Sequence, residues 1–167
     1  MELEDMAQIH TVSLLRSTSN GIFLVELRQY FPSQIETISP FIDRLMDFIA
    51  KFRRKDGSET DIEIALSEAV ENAVVHGNGE DHRKHVYVTC RCSSDGEVSI
   101  AVQDEGRGFD TGTLHDPTAS ENRLRTFGRG IYLMKALMDE VCFEKGGALV
   151  YMRKKPNAVS AAERKAG

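Results

Sequence analysis

The sequence has 167 residues, which is typical of one domain and enough to bury a core without disulfide or metal staples. Its hydrophobic content of 41% and charged content of 28% are ordinary for a soluble globular protein. The net charge of −5 argues against a general nucleic-acid binder, which would carry a basic excess. The three cysteines form no CxxC pattern, so we expect reduced thiols. There is neither a basic-then-apolar leader nor an apolar run of about 20 residues, so we expect a cytoplasmic protein without a membrane segment.

The N-terminal half predicts one strand followed by two helices. Residues 1–20 are polar and show no clear period, so we expect a loose arm, with a short strand in it as the alternative. Gly21–Leu27 is apolar and rich in β-branched and aromatic residues, which predicts the first strand. Apolar residues at helical spacing between Ser33 and Arg53 predict a helix that Pro40 either starts or kinks. The most regular apolar stripe, from Ile62 to His76, predicts an amphipathic helix.

The C-terminal half predicts two hairpins with a helix between them. His85–Cys92 and Glu97–Gln103 flank an Asp-Gly turn signal, which is typical of a hairpin. Residues 110–127 show no period, and a loop of this length in a compact domain is typical of a functional lid. The apolar spacing of 128–139 predicts a helix, and 141–152 predicts a final hairpin.

This order of elements favours an α/β (α+β) two-layer sandwich. We expect a mixed, mainly antiparallel five-stranded sheet with about three helices on one face. The domain would span residues 21–155, between the N-terminal arm and a flexible, alanine-rich tail at 156–167.

Glu68 and Asn72 lie one turn apart at the edge of the stripe of the regular helix, and His76 continues their row. The amide oxygen of Asn72 is a suitable ligand for a hard cation such as Mg²⁺. The carboxylate of Glu68 can orient or deprotonate a nucleophile beside that cation. The alternative interpretation is a solvated helix edge.

The stretch DEGRGFD (Asp104–Asp110) places a carboxylate and two glycines where an alternating strand ends. Gly128 and Gly130 open the last predicted helix, where free N–H groups and the helix dipole favour an anion such as phosphate. Neither a P-loop nor a dinucleotide fingerprint occurs. Three arginines would add positive charge near this end of the helix: Arg123, Arg125 and Arg129.

Together these stretches resemble the sequence boxes of a known family. LSEAVENAVVHG (Leu66–Gly77), DEGRGFD and FGRGIYLMKALMDEV (Phe127–Val141) are similar to the N, G1 and G2 boxes of the histidine-kinase-like ATPases with the Bergerat (GHKL) ATP-binding fold. The similarity is greatest to the bacterial anti-sigma-factor serine/threonine-protein kinases. The loop stretch DPTASEN (Asp116–Asn122) also resembles the corresponding loop of that subfamily. The resemblance covers roughly residues 22–155.

The resemblance implies a kinase that uses ATP and Mg²⁺, binds a sigma factor, and phosphorylates a Ser or Thr of an anti-anti-sigma-type antagonist protein. It also implies a homodimer. In this family Glu68 would be the general base, Asn72 the Mg²⁺ ligand and Asp104 the acceptor for the adenine amino group. The other implied nucleotide-binding residues are His76, Gly106, Gly108, Phe109, Arg125, Gly128, Arg129, Gly130 and Ile131.

One departure from the family keeps an alternative open. Gly147-Ala148-Leu149 stands where the family often has Gly-Thr, whose hydroxyl helps to hold adenine. A non-catalytic module that uses nucleotide to gate the capture of a partner is therefore a second hypothesis. A detached histidine-kinase ATP domain is a third, although no helical hairpin with a phosphoacceptor histidine is predicted.

Overall fold

The computed structural model describes residues 10–19, 22–108 and 126–157. A six-stranded sheet is covered on one face by three helices. The helices are α1 (Ile38–Phe52), α2 (Glu59–Glu71) and α3 (Thr126–Leu137). The strands are β1 (His10–Ser19), β2 (Ile22–Pro32), β3 (His85–Ser93), β4 (Val98–Gln103), β5 (Glu140–Glu144) and β6 (Leu149–Lys154), in the spatial order β1-β2-β3-β4-β6-β5. None of the helices in the described ranges is long and apolar enough to cross a membrane.

The two-layer α+β class is confirmed, but the expected sheet needs two corrections. Residues 10–19, expected to be part of a loose arm, form β1 and pair antiparallel with β2. Polar residues interrupt the hydrophobic alternation of this segment, so the sequence pattern of a strand is weak there. Asn20-Gly21 before β2 is a hairpin signal that we overlooked. The sheet therefore has six strands rather than five, and each described pairing is antiparallel rather than mixed.

Two element boundaries also differ from the expectation. β2 continues past Leu27 to Pro32, because Gln29 and Phe31 stay on its buried face. α1 begins at Ile38, so Pro40 lies in its first turn, where the missing N–H removes no intrahelical hydrogen bond.

The core lies between the sheet and the helices, and it determines how α2 is oriented. On β3 the side chains of Val86, Val88, Cys90 and Cys92 are buried in alternation, and both cysteines are free thiols. The predicted stripe of α2 is buried against this layer, and α2 packs extensively against α3. The edge of α2 beside this stripe carries Glu68, and Asn72 follows in the next turn of the chain. Both side chains face Gly130 of α3.

A buried ion pair closes the end of the molecule where α2 begins. Arg53 is 5% exposed and donates to both carboxylate oxygens of Asp56, at 2.9 and 2.7 Å. It also donates to the hydroxyl of Ser58 and to the carbonyl of Gly96, each at 2.8 Å. The N–H of Asn157 donates to the same carboxylate at 2.8 Å. The pair therefore ties the end of α1 to the start of α2, the β3–β4 hairpin and the chain after β6.

Candidate functional site

A cleft opens between the C-terminal end of α2, the end of β4 and α3. Small-molecule sites are typically clefts with a mostly apolar lining and a few polar groups that orient the ligand. Its wall is largely apolar, with a few polar side chains that converge on the space. The apolar side chains include Val102, Met134, Phe143 and Val150, and the polar ones are Asn72, His76 and Asp104.

The helix that carries two of these polar groups changes its winding at the cleft. α2 passes into a π-helical turn, Asn72–Gly77, instead of ending in a simple cap. Such wider turns occur frequently at functional sites. Asn72, half-buried, and His76, exposed, both reach the cleft from this turn. This turn could not be predicted from the spacing, because the apolar stripe continues through Ala73 and Val74 at the ordinary helical spacing.

Asp104 is the buried acid of the cleft and is only 8% exposed. Its N–H donates to the carbonyl of Ala148 at 3.0 Å, and its Oδ1 accepts the N–H of Gly106 at 2.7 Å. Burial raises the pKa of this carboxyl, and the Gly106 N–H and the Lys84 charge oppose the rise. A fixed, buried carboxylate at the cleft wall is a specific acceptor for an N–H group of a ligand.

Gly77, at the end of the π-helical turn, makes room for this carboxylate. A Cβ at position 77 would overlap the side chain of Asp104, so a larger residue would push the loop and the turn apart. Gly106 packs in the same way against the carbonyl of Gly77. The position of Asp104 therefore depends on two residues that carry no functional group of their own.

Asn78 supports the site, and sequence reasoning did not single it out. It is 3% exposed, and its Oδ1 accepts the N–H of Glu105 at 2.8 Å. Its Nδ2 donates to the carbonyl of His85 at 2.9 Å. Asn78 thereby fixes the loop that follows Asp104 to the start of β3. The only signal in the sequence was a polar residue between the glycines at 77 and 79.

Glu68 and Asn72 meet α3 at Gly130, and of the two Asn72 also lines the cleft. A Cβ at Gly130 would overlap the Glu68 carboxylate and would lie 3.4 Å from Asn72 Nδ2, so both side chains converge on this glycine. Burial and then the neighbouring Glu71 carboxylate raise the pKa of Glu68, while the Arg129 guanidinium opposes the rise. A half-buried carboxylate with a raised pKa is well suited to accept a proton from a nucleophile.

The remaining predicted site residues are divided between the cleft, the surface and the core. Gly108 lines the cleft, Gly128 is half-buried and Arg129 is exposed. Ile131 is 4% exposed and belongs to the hydrophobic core. α3 begins at Thr126, so Gly128 and Gly130 lie within its first turns and the last two residues of the expected lid, 126 and 127, are helical. Phe109, Arg125 and the rest of that lid lie outside the described residues.

The chain is similar to known proteins over most of its length. The sequence matches the histidine kinase-like ATPase domain family over residues 31–154. The anti-sigma F factor of Clostridium perfringens (strain SM101) is 37% identical over 115 residues, which cover 66% of this chain and 81% of that protein. The anti-sigma F factor of Heyndrickxia coagulans is 31% identical over 116 residues, covering 66% and 79% of the two chains. That of Geobacillus stearothermophilus is 33% identical over 112 residues, covering 64% and 76%.

Proposed function

The chain belongs to the histidine kinase-like ATPase domain family, and on this basis we propose that it is an ATP-dependent protein serine/threonine kinase that acts as an anti-sigma factor. The observation that carries the proposal is the convergence of Glu68 and Asn72 on Gly130, beside a cleft whose wall holds the buried Asp104. The names of the relatives favour a sigma factor as the binding partner. The substrate would be an anti-anti-sigma-type antagonist protein.

The cleft suits an adenine nucleotide in one orientation. Asp104 would accept a hydrogen bond from the amino group of adenine. The adenine ring would pack against the apolar side chains of Val102, Met134 and Val150. The phosphates would then extend toward Asn72 and the N-terminal end of α3, where helix N–H groups favour an anion. The glycines at 128 and 130 would let the phosphates approach the backbone.

Asn72 is the residue that would hold Mg²⁺ in this arrangement. No group of three His, Cys, Asp or Glu side chains suited to a metal occurs within the described ranges, so a dedicated protein cage is not formed there. A single amide oxygen is compatible with Mg²⁺, which keeps several waters and is commonly bound through substrate phosphates. The cation would neutralise the charge of the transferring phosphoryl group.

Glu68 would act on the attacking hydroxyl of the protein substrate. As the seryl or threonyl oxygen bonds to the γ-phosphorus, its proton passes to the Glu68 carboxylate. The bond from the γ-phosphorus to the bridging oxygen breaks, and ADP leaves. The raised pKa of Glu68 makes its carboxylate a better proton acceptor than an exposed glutamate.

Label transfer from γ-labelled ATP tests the proposal. The purified chain is incubated with an antagonist-type protein encoded beside its gene, and the phosphorylated residue is mapped. We expect one labelled Ser or Thr on the antagonist, and a variant with Ala at that residue should accept no label. A homodimer, which the family resemblance also favours, is tested in the same preparation by light scattering.

The second candidate is a nucleotide-gated binding module without kinase activity. It is favoured by Ala148, which is 7% exposed and lies beside the buried acid without the hydroxyl that the family often offers to adenine. In that case nucleotide would change the affinity for the partner protein, and no label would reach the partner. The transfer experiment therefore separates the two candidates.

A further inference from the structure

Three aromatic rings meet on the outer face of the sheet, away from the helices. Tyr30 on β2 and Tyr87 on β3 are direct cross-strand partners whose ring centroids lie 5.9 Å apart. His85 stands edge-on to Tyr30 at 5.6 Å and lies 6.4 Å from Tyr87. Tyr87 is 42% exposed, and it is one of the four large hydrophobic side chains of the described residues that are more than a third exposed. The rings form a partly solvent-facing aromatic platform.

A carboxylate borders this platform. The hydroxyl of Tyr87 donates to Glu105 Oε1 at 2.8 Å, and within the described residues this is the hydrogen bond that the exposed Glu105 carboxylate makes. Asn78 holds the N–H of Glu105 and also the carbonyl of His85, at 2.8 and 2.9 Å. One buried side chain therefore fixes the backbone on both sides of the site, so little ordering is needed when a ligand binds.

Two cationic side chains on neighbouring segments already have partners. Lys145 Nζ donates to Gln103 Oε1 at 2.8 Å, and Arg28 pairs with the buried Glu26 at 2.7 Å. The electron-rich groups of the site itself are the tyrosine ring faces and the second oxygen of Glu105. Both attract a cation, the rings through their quadrupole and the carboxylate through charge-assisted hydrogen bonds.

We propose that Tyr30, His85, Tyr87 and Glu105 form a recognition site for an arginine side chain of a protein partner. The planar guanidinium stacks on the exposed Tyr87 ring while its N–H groups reach Glu105, a combination that the compact ammonium of lysine cannot match. The site does not depend on the nucleotide chemistry proposed above.

Titration of the full chain with N-acetyl-arginine amide at millimolar concentrations tests the site. The readout is the NMR signals of ring-labelled tyrosines, and the neutral isostere N-acetyl-citrulline amide is the matched ligand. We expect Tyr87 to shift and saturate with the arginine compound only. Tyr132, 47% exposed on α3, is the internal control and should not shift.

The Glu105→Gln variant completes the test. It keeps an acceptor for the Tyr87 hydroxyl and leaves the backbone anchor at Asn78 intact, but it removes the charge. We expect the arginine affinity to fall roughly tenfold, in line with the loss of one charge-assisted hydrogen bond. An unchanged affinity in this variant, an equal response to citrulline, equal shifts of Tyr87 and Tyr132, or no saturable shift would each overturn the proposal.

Discussion

Gly130 of α3 lies directly against the Glu68 carboxylate of α2. A Cβ at position 130 would overlap Glu68 Oε2 and would lie 3.4 Å from Asn72 Nδ2. Because α2 and α3 pack closely along this line, a Cβ on Gly130 would displace the Glu68 carboxylate from its present position. The direction in which Glu68 points is therefore set by the absence of a side chain on the opposite helix.

Gly130→Ala should lower the rate of phosphoryl transfer about 100-fold, because a misplacement of about 1 Å in a catalytic group can cost that much. ATP affinity should change far less, because Asp104, the proposed acceptor for the adenine amino group, is on another element. Lys135→Ala, an exposed change on the same helix, is the control and should keep the wild-type rate. Single-turnover kinetics and calorimetric ATP titration measure the rate and the affinity. Equal rates in Gly130→Ala and Lys135→Ala would show that Gly130 has no special relation to Glu68.

Asp104→Asn should separate ligand binding from stability. Asparagine keeps an oxygen for the Gly106 N–H but loses the charge that receives the adenine amino group, so ATP affinity should fall about 10- to 100-fold. Burial raises the folded-state pKa of Asp104, so the folded protein binds more protons than the unfolded chain between the two pKa values. The wild-type carboxylate therefore costs stability at neutral pH, and the variant without nucleotide should melt no lower than the wild type. A lower melting temperature with unchanged ATP affinity would contradict this role.

Glu71 should influence the pH dependence of the reaction through Glu68. A general base must be deprotonated to act, so we expect activity to be lost as the pH falls through the pKa of Glu68. This pKa lies above the ordinary glutamate value of about 4.3. Burial is the main cause and the Glu71 carboxylate adds to it, so Glu71→Gln should move the acidic limb of the rate profile to lower pH. Glu63→Gln, an exposed change on the same helix, should leave the profile in place. Superimposable profiles for the wild type and Glu71→Gln would contradict the prediction.

The Arg53–Asp56 pair should matter for stability and not for nucleotide binding. Burial alone would raise the pKa of Asp56, but hydrogen bonds from Ser58, Asn157 and Arg53 lower it to about 2. Because the folded pKa lies below the unfolded value, about 2 kcal/mol of stability is present above roughly pH 4 and is lost as the pH falls toward 2.

Asp56→Asn leaves a buried guanidinium without its counter-charge, which should cost about 3–5 kcal/mol in urea unfolding at pH 7. Asp81→Asn is the control: its partner Arg83 is largely exposed, and we expect no measurable change. ATP affinity should be unaltered in both variants. Similar unfolding curves for the two would mean that the buried pair does not stabilise the fold.

The helices could be predicted because their apolar period is a local signal. Each apolar position predicted between Ile62 and Val70 is buried, and the face left over carries Glu68. β1 had only a weak signal in the sequence, because its pattern is too polar for the alternation typical of a strand. It is a strand because its backbone pairs with β2. Local composition therefore predicted those elements that bury a full face and missed the edge strand.

The site was only partly readable for a similar reason. The sequence motifs predicted three site residues that carry functional groups: Glu68, Asn72 and Asp104. Gly77 and Asn78 act through a close approach and two hydrogen bonds that exist only after the π-helical turn packs against β3 and the loop following β4. Sequence spacing does not encode those tertiary distances.

The most direct measurement of the central claim is phosphoryl transfer by Glu68→Gln, compared with its ATP affinity. Glutamine keeps the size of the side chain beside Gly130 but cannot accept the proton of the attacking hydroxyl. We predict that transfer to the antagonist protein falls by about 10²–10⁴ while ATP binds within a few fold of wild type. A variant that binds ATP and transfers phosphate at the wild-type rate would contradict the assignment of Glu68 as the general base.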